Sequence, residues 1–402
     1  MPALPLSDPA APRPLISRAV WVLSAVSLLT DLASELLYPV MPGYLRHIGF
    51  SVAFIGLLEG VAEATAGLSK AAVGRWSDRL GQRVPFVRAG YALSALAKPL
   101  LALTTHPLGV FLARTAERFG KGLRSAPRDA LLAAEATPAT RGRVFGLHRA
   151  MDTLGAVFGP LCALFWLTAH PGAYRPLFLL AAVPGALAVG ATLLLRESVA
   201  PAPAAVKPPL PPLRAWWRTA PATYKRAVRG LAAFALLNSS DVFLLLAARA
   251  AGLSETAVIG AYVFYNVVYA AAAYPFGGLA DRWGPRPTLV AGLLIFAATY
   301  AGMAAAHSLP VVLALFALYG IYAAATESVA KAWLAHLVPP AEIGTALGFY
   351  GTLQSLGALG ASVMAGLLWQ RFGPAAALLT TAAGTVGVAA YLARVRTEPA
   401  PA

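Results

Sequence analysis

The 402-residue sequence is short of charge, of acid and of sulfur. Only 12% of its residues are Asp, Glu, Lys or Arg, whereas 58% are hydrophobic; soluble domains carry about 25% charged and about 45–50% apolar residues. So few charged side chains cannot cover the two or three soluble domains that this length would otherwise make, which excludes a soluble protein. The single cysteine, Cys162, excludes an internal disulfide and every multi-cysteine zinc or iron–sulfur centre. Six histidines without HExxH or close pairing leave little for a histidine-built metal site. P-loop and GxSxG motifs are missing as well, so no enzyme and no cofactor are expected. Acid is scarcer than base, 17 residues against 32, giving a net charge of +15. In a soluble chain that surplus would suggest nucleic acid as a partner; here it falls between apolar runs and reports membrane topology.

Those runs fill nearly the whole chain. Stretches of about 20 apolar residues are long enough to cross about 30 Å of hydrocarbon as helix. Twelve are predicted: 18–42, 52–74, 84–104, 107–126, 142–167, 173–195, 224–248, 254–279, 287–306, 309–336, 343–369 and 373–393. They are too long, and too uniformly apolar, for the strands of a membrane barrel. Even-numbered connections are basic, with Arg75, Arg79, Arg83 and Arg88 at the second, Arg141 and Arg143 at the fourth, and Arg282 and Arg286 at the eighth. Odd ones hold only Arg46, Arg175, Arg249 and Arg371. The positive-inside rule therefore puts both termini in the cytoplasm, with the bacterial inner membrane as the location. The first apolar run carries Asp31 and Glu35 and has the length of a span, so it reads as a retained helix and not as a cleaved signal. Residues 197–222, dense in proline, read as a cytoplasmic linker. The expected order is a tail over 1–17, a six-helix bundle over 18–196, the linker, a second bundle over 223–395 and a tail over 396–402.

A motif recurs at the corresponding place in both halves. Gly74, Asp78, Arg79, Gly81 and Arg83 after the second span, and Gly277, Asp281, Arg282, Gly284 and Arg286 after the eighth, each spell GxxxDRxGxR. The glycines allow close approach and a tight turn, while Asp and Arg can pair with a helix end and be released as the halves rock. The repeat resembles the hallmark loop motif of the major facilitator superfamily, over essentially the whole chain. Gly155, Gly159 and Pro160 in span five resemble the core of that family's antiporter motif, with Leu161, Cys162 and Ala163 replacing its small-residue continuation. Arg118 to Gly122 in span four resembles RxxQG, whose arginine is associated with proton coupling, but Lys121 stands where the glutamine would be. The strings DxxSExxYP and GKGxRxxPRDAL are similar to a bacterial subgroup of transporters. The resemblance implies an all-α polytopic protein of twelve helices in two pseudo-symmetric bundles about a central cavity, working by alternating access.

Ionisable groups inside a bilayer are functional candidates by default. Asp31 and Glu35 share one face of span one, and Glu59 and Glu63 one face of span two. If the two spans run antiparallel as neighbours, Asp31 lies level with Glu63 and Glu35 with Glu59, so that four carboxylates form two layers. Glu59 is also placed where it could reach outer water. Span four supplies Arg114, Arg118 and Lys121, with Glu117 as an additional acid and Lys70 and Lys98 as further counterions. A proton-coupling cavity competes here with a purely structural network. Arg128 and Asp129, with Arg149 and Asp152, read as a cytoplasmic-side gate or as solvated helix ends, and His148 as a hydrogen-bonding residue in preference to a metal ligand. In the second half Asp241 has no local partner, while Glu327 and Lys331 are spaced to neutralise one another. Tyr262, Tyr265, Asn266 and Tyr269 give span eight a polar aromatic face, for a cavity or for packing, and Gln354 is a further candidate. Trp216 and Trp217 read as interfacial anchors of the linker.

The expected function is proton-coupled export of a small organic molecule by a monomer in the bilayer. A divalent-cation exporter using the acids, or an organic-anion transporter using Arg114, Arg118 and Lys121, are the alternatives. A membrane enzyme or a receptor stands further off.

Overall fold

The computed structural model describes residues 16–135, 141–197, 213–339 and 342–395, and within these the side chains of Ala71, Arg75, Asp78, Arg79, Arg141, Arg143, Phe145, Leu213, Arg214, Ala215, Tyr274, Asp281 and Ser328 lie outside the described set. The chain folds into helices throughout these residues. In order they are α1 (Arg18–Glu35), α2 (Met41–His47), α3 (Val52–Leu80), α4 (Val84–Leu103), α5 (Pro107–Glu135), α6 (Arg141–Ala169) and α7 (Tyr174–Thr192). A short α8 (Leu213–Thr219) precedes α9 (Ala222–Ala235), α10 (Val242–Ala250), α11 (Glu255–Trp283), α12 (Pro285–Met303), α13 (Leu309–His336), α14 (Ile343–Phe372) and α15 (Pro374–Ala393).

Nine of these are long and apolar enough to cross a membrane. The remaining three passes depart from a plain apolar rod for separate reasons. The fourth, α5, is amphipathic, with Arg114, Glu117, Arg118 and Arg124 buried. The first and the seventh are broken, where the sequence predicts continuous helices over 18–42 and 224–248. Pro39 lacks the donor that would extend α1, and it restrains Tyr38 before it. Asn238, Ser239 and Ser240 offer the backbone local hydrogen bonds that compete with a helix. The Ser240 amide donates to Ser362 Oγ at 3.2 Å. Both breaks fall in the first span of a half, at corresponding places in the internal repeat.

In the first half α1 packs on α6 and α7, α4 on α5 and α7, and α3 on α5. In the second, α11 and α12 pack on α13, and α15 on α12 and α14. The halves meet along α3 and α14 and along α6 and α11. α3 and α14 approach to backbone contact: a Cβ added to Gly60 would lie 2.9 Å from the Leu359 carbonyl, and one on Gly366 would lie 3.0 Å from that of Val52. Small residues are what permit such closeness between membrane helices.

Two ends of the molecule differ. At the end carrying α2, α10 and the start of α3, one apolar cluster joins Leu37, Met41 and Ile55 of the first half to Phe243, Ile259 and Ala365 of the second. Tyr174 donates to both oxygens of Glu255 at 2.9 Å, and the Ala53 amide donates to Gln370 Oε1 at 3.2 Å, tying the halves further. The other end, where α1 starts and α15 finishes, is open. A cavity of about 550 Å3 enters from it between the halves.

The Pro-rich stretch from 198 to 212 lies outside the described residues, but its flanks are held. Glu197 accepts the Arg83 and Val84 amides at 2.8 and 2.9 Å and so caps α4. Trp216 is buried, stacks edge-on against Tyr224 and donates to Glu342 at 2.8 Å. It joins the core of the second half instead of serving as an interfacial anchor.

Candidate functional site

α5 organises the site because its polar face turns inward. Arg114 grips Glu59 of α3 with two parallel bonds, Nε to Oε1 at 3.0 Å and Nη2 to Oε2 at 3.1 Å. Its third nitrogen donates to Glu117 Oε2 at 2.5 Å. Lys98 of α4 lies 3.9 Å from the other Glu117 oxygen and donates to the Ser94 carbonyl. Glu59 is fully buried in this cluster, contrary to the expectation that it could reach outer water. One turn further along, Arg118 pairs with Glu63 at 3.1 Å, and the Glu63 side chain is 40% exposed to the cavity.

The two predicted carboxylate layers do not form. α5 lies between α1 and α3, so span one faces other partners. Glu35 accepts the Tyr262 hydroxyl of α11 at 2.9 Å, across the boundary between the halves. Asp31 instead lies within electrostatic reach of Asp152 of α6. Close packing makes this possible, since a Cβ on Gly155 would lie 2.9 Å from that of Asp31 and one on Gly159 2.7 Å from the Leu36 amide. Asp152 also accepts Ser27 Oγ at 2.7 Å and lies 3.4 Å from Arg149. Arg128 holds Asp129 at 3.0 Å, and Lys70 lies 3.8 Å from the same carboxylate.

Asp31, Ser34, Glu35, Tyr38, Arg118 and Lys121 line one narrow cleft. Its volume of about 20 Å3 has room for a single water. Lys121 stands on the wall of this cleft and on that of the large cavity, and so connects them. Tyr38 is central: its hydroxyl lies 3.4 Å from Ser240 Oγ, so the two helix breaks touch, and its ring lies 5.6 Å from Tyr262 and about 6 Å from the guanidiniums of Arg114 and Arg118. The sequence reading passed over Tyr38; its place beside Pro39 at a helix end was the available signal.

In the second half Asp241 does have a partner. Tyr319 donates to it at 2.6 Å, from α13, far along the chain. Tyr265 stacks with Tyr262, Tyr269 and Tyr319 in an aromatic ladder, and Asn266 donates to the carbonyl of Tyr262 on its own helix, so neither reaches the large cavity. Glu327 and Lys331 do not neutralise one another: the Glu327 carboxylate accepts the Tyr269 hydroxyl at 2.8 Å, and no ion pair joins it to Lys331 among the described residues. Both line the cavity, with Glu63, Lys70, Lys121 and Gln354. His148 is buried and its Nε2 has no hydrogen-bond partner among the described residues. Among the described residues no three His, Cys, Asp or Glu side chains converge as metal ligands would.

The loop repeats are partly visible. A Cβ on Gly74 would lie 3.0 Å from Ala126, Gly81 and Gly284 take positive φ at the turns, and Arg286 donates to the Val395 carbonyl at 2.6 Å. The side chains of Asp78, Arg79 and Asp281 lie outside the described set.

Two six-pass halves about a cavity open at one end define a polytopic carrier fold. The Major Facilitator Superfamily model matches residues 23–263 and 231–402, and the chain belongs to that family of membrane transporters. It is 32% identical over 361 residues to the "uncharacterized MFS-type transporter MJ1317" of Methanocaldococcus jannaschii, covering 88% of this chain and 89% of that one. Among solved structures, a bacterial homolog of the human lysosomal transporter Spinster, inward-facing and occupied, superposes with a TM-score of 0.77 at 18% identity, over 95% of this chain and 98% of that one. A D-xylose–proton symporter superposes with a TM-score of 0.72 at 16% identity, over 94% and 97%.

Proposed function

We propose that this protein is a proton-coupled secondary transporter that exports a small organic molecule across the cytoplasmic membrane by alternating access. Both termini are then cytoplasmic, as the arginine-rich even connections require, and the open end of the cavity faces the cytoplasm. The observation that carries the reading is the cleft that gathers Asp31, Glu35, Arg118 and Lys121 beside the substrate-sized cavity. Two carboxylates within electrostatic reach of one another repel, and a proton on Asp31 or Asp152 removes that repulsion. Release of the proton into the open cavity leaves charge that pulls on Lys121 and on the α1–α6 contact, so protonation and helix position are linked. Glu35 extends the link, since its bond to Tyr262 joins the halves and must break if they rock apart. The Gly155 and Gly159 contacts with α1, on the motif that resembles the antiporter signature, favour exchange of proton for substrate, and hence export. Coupling to protons has a precedent in the name of the similar symporter structure.

The test is the internal pH of proteoliposomes challenged with a mixed library of organic cations, organic anions and divalent metals, for wild type and Asp31→Asn. Ligand-dependent proton movement that the substitution abolishes is the expected result. Ligand flux with no proton movement in wild type would leave a transporter without this coupling.

A further inference from the structure

The cations of the site differ in how far the protein satisfies them. Arg114 is held by Glu59 and Glu117, Arg118 by Glu63, Lys98 by Glu117 and Ser94, and Lys70 by Asp129. Lys121 and Lys331 are different. Neither ammonium group forms a hydrogen bond or an ion pair among the described residues, both side chains line the large cavity, and they come from opposite halves, on α5 and α13. The carboxylates on the same wall are already engaged, Glu63 by Arg118 and Glu327 by Tyr269. Lys121 lies within electrostatic reach of Asp31, Glu35 and Glu63 but in contact with none of them. The rest of the wall on the second half is largely apolar, with Leu231, Phe234, Leu293, Tyr322 and Tyr350.

We propose that the cavity binds an amphipathic organic anion, with its carboxylate, sulfonate or phosphate held between Lys121 and Lys331 and its apolar body against Leu231, Phe234, Leu293 and Tyr322. This rests on the transporter reading and names its substrate class. Both ammonium groups are exposed on the cavity wall with no carboxylate in contact, and an anionic ligand supplies a charge-assisted partner for each. A ligand touching both lysines also bridges the halves. Of the arginines expected to serve an anion, Arg114 and Arg118 are consumed by glutamates, so the lysines take that place.

Three probes with one apolar body test this: 1-naphthaleneacetate, the neutral 1-naphthaleneacetamide and 1-naphthylmethylammonium, each measured by equilibrium binding to the full-length protein in nanodiscs. The anion is expected to bind tightest, and Lys121→Gln and Lys331→Gln each to weaken it by about tenfold, the loss of one charge-assisted bond, without weakening the amide. Lys331→Glu is expected to move the preference toward the ammonium. Equal binding of the three probes, binding of none, or an anion affinity indifferent to both glutamine variants overturns the proposal. A separate measurement addresses the reading beneath it: a cysteine placed at Ala330 in a Cys162→Ser background, labelled from each side of sealed vesicles. Labelling from both sides with no preference for the anion sinks the clamp alone. Anion binding at a cavity that never opens to the second side sinks the transporter and leaves the clamp standing.

Discussion

Glu59 and Glu63 stand one helical turn apart on α3, and each meets an arginine of α5, yet their settings differ. Glu59 is fully buried and bidentate to Arg114, whereas Glu63 meets Arg118 at the cavity edge with its side chain 40% exposed. Removing one partner of a buried ion pair leaves an uncompensated charge, at about 3–5 kcal/mol. Glu59→Gln is therefore expected to lower the melting temperature and the yield of folded protein, because Arg114 keeps only Glu117. Glu63→Gln is expected to leave the melting temperature nearly unchanged and to alter the pH dependence of flux, because water reaches Arg118 once the carboxylate is gone. Thermal unfolding in detergent and flux in liposomes, measured on both variants, separate the two; equal losses of stability would show that Glu63 belongs to the same structural cluster. Spacing alone marks these residues as candidates on one face of a span. It could not rank Glu59 against Glu63, since burial depends on where α14 and α5 close over α3.

Among the helices, the sequence carried the number of passes and their order, because apolar length and the doubled loop motif are local signals. It did not carry neighbours. Placing Asp31 beside Glu63 assumed that consecutive spans touch, and α5 lies between them. The breaks after α1 and α9 have a related reason: hydropathy continues through Leu36 to Val40, and the apolar run resumes at Val242 after the short polar interruption Asn238 to Asp241, so only the Pro39 and Asn-Ser-Ser signals mark them. The contact of α3 with α14 joins elements far apart in the chain and had no local sign at all. It leads to a prediction for the element. Gly60→Val puts a branched side chain where a Cβ already meets the Leu359 carbonyl at 2.9 Å, so α3 and α14 must separate at the closed end. The variant is expected to populate the opposite opening, read as faster labelling of a cysteine at Ser362 from the closed-end side in a Cys162→Ser background. Unchanged labelling with an intact fold would mean that the contact yields without moving the helices. The cap on α4 gives a milder case: Glu197→Ala removes the acceptor for two amides and is expected to lower stability by about 1 kcal/mol, as loss of an N-terminal cap does. Denaturation of the detergent-solubilised protein measures it, and a full-sized effect on flux would point to a hinge instead.

Across the whole molecule the closed end and the open end are made differently. The closed end combines an apolar cluster shared by both halves with the Tyr174–Glu255 bonds and the Ala53–Gln370 bond, while the open end leads into a cavity of about 550 Å3 whose walls carry both charged and apolar side chains. A carrier that alternates must break the first set to open on that side, and few polar bonds cross there to resist it. Tyr174 and Glu255 belong to α7 and α11, one in each half, so linking them fixes the halves without entering the cavity. With Cys162 replaced by Ser, the pair Tyr174→Cys and Glu255→Cys joined by a short bifunctional maleimide is expected to abolish net flux while binding from the open end persists. Each single variant treated with the same reagent should retain flux, which controls for modification. Glu255→Gln alone should weaken the closure, because a neutral amide is a poorer acceptor for the tyrosine hydroxyl, and so raise outer accessibility without stopping transport. If the cross-linked protein still carries substrate, the two halves do not rock about this end, and movement within a half, at the breaks beside Tyr38 and Asp241, becomes the element that must open it.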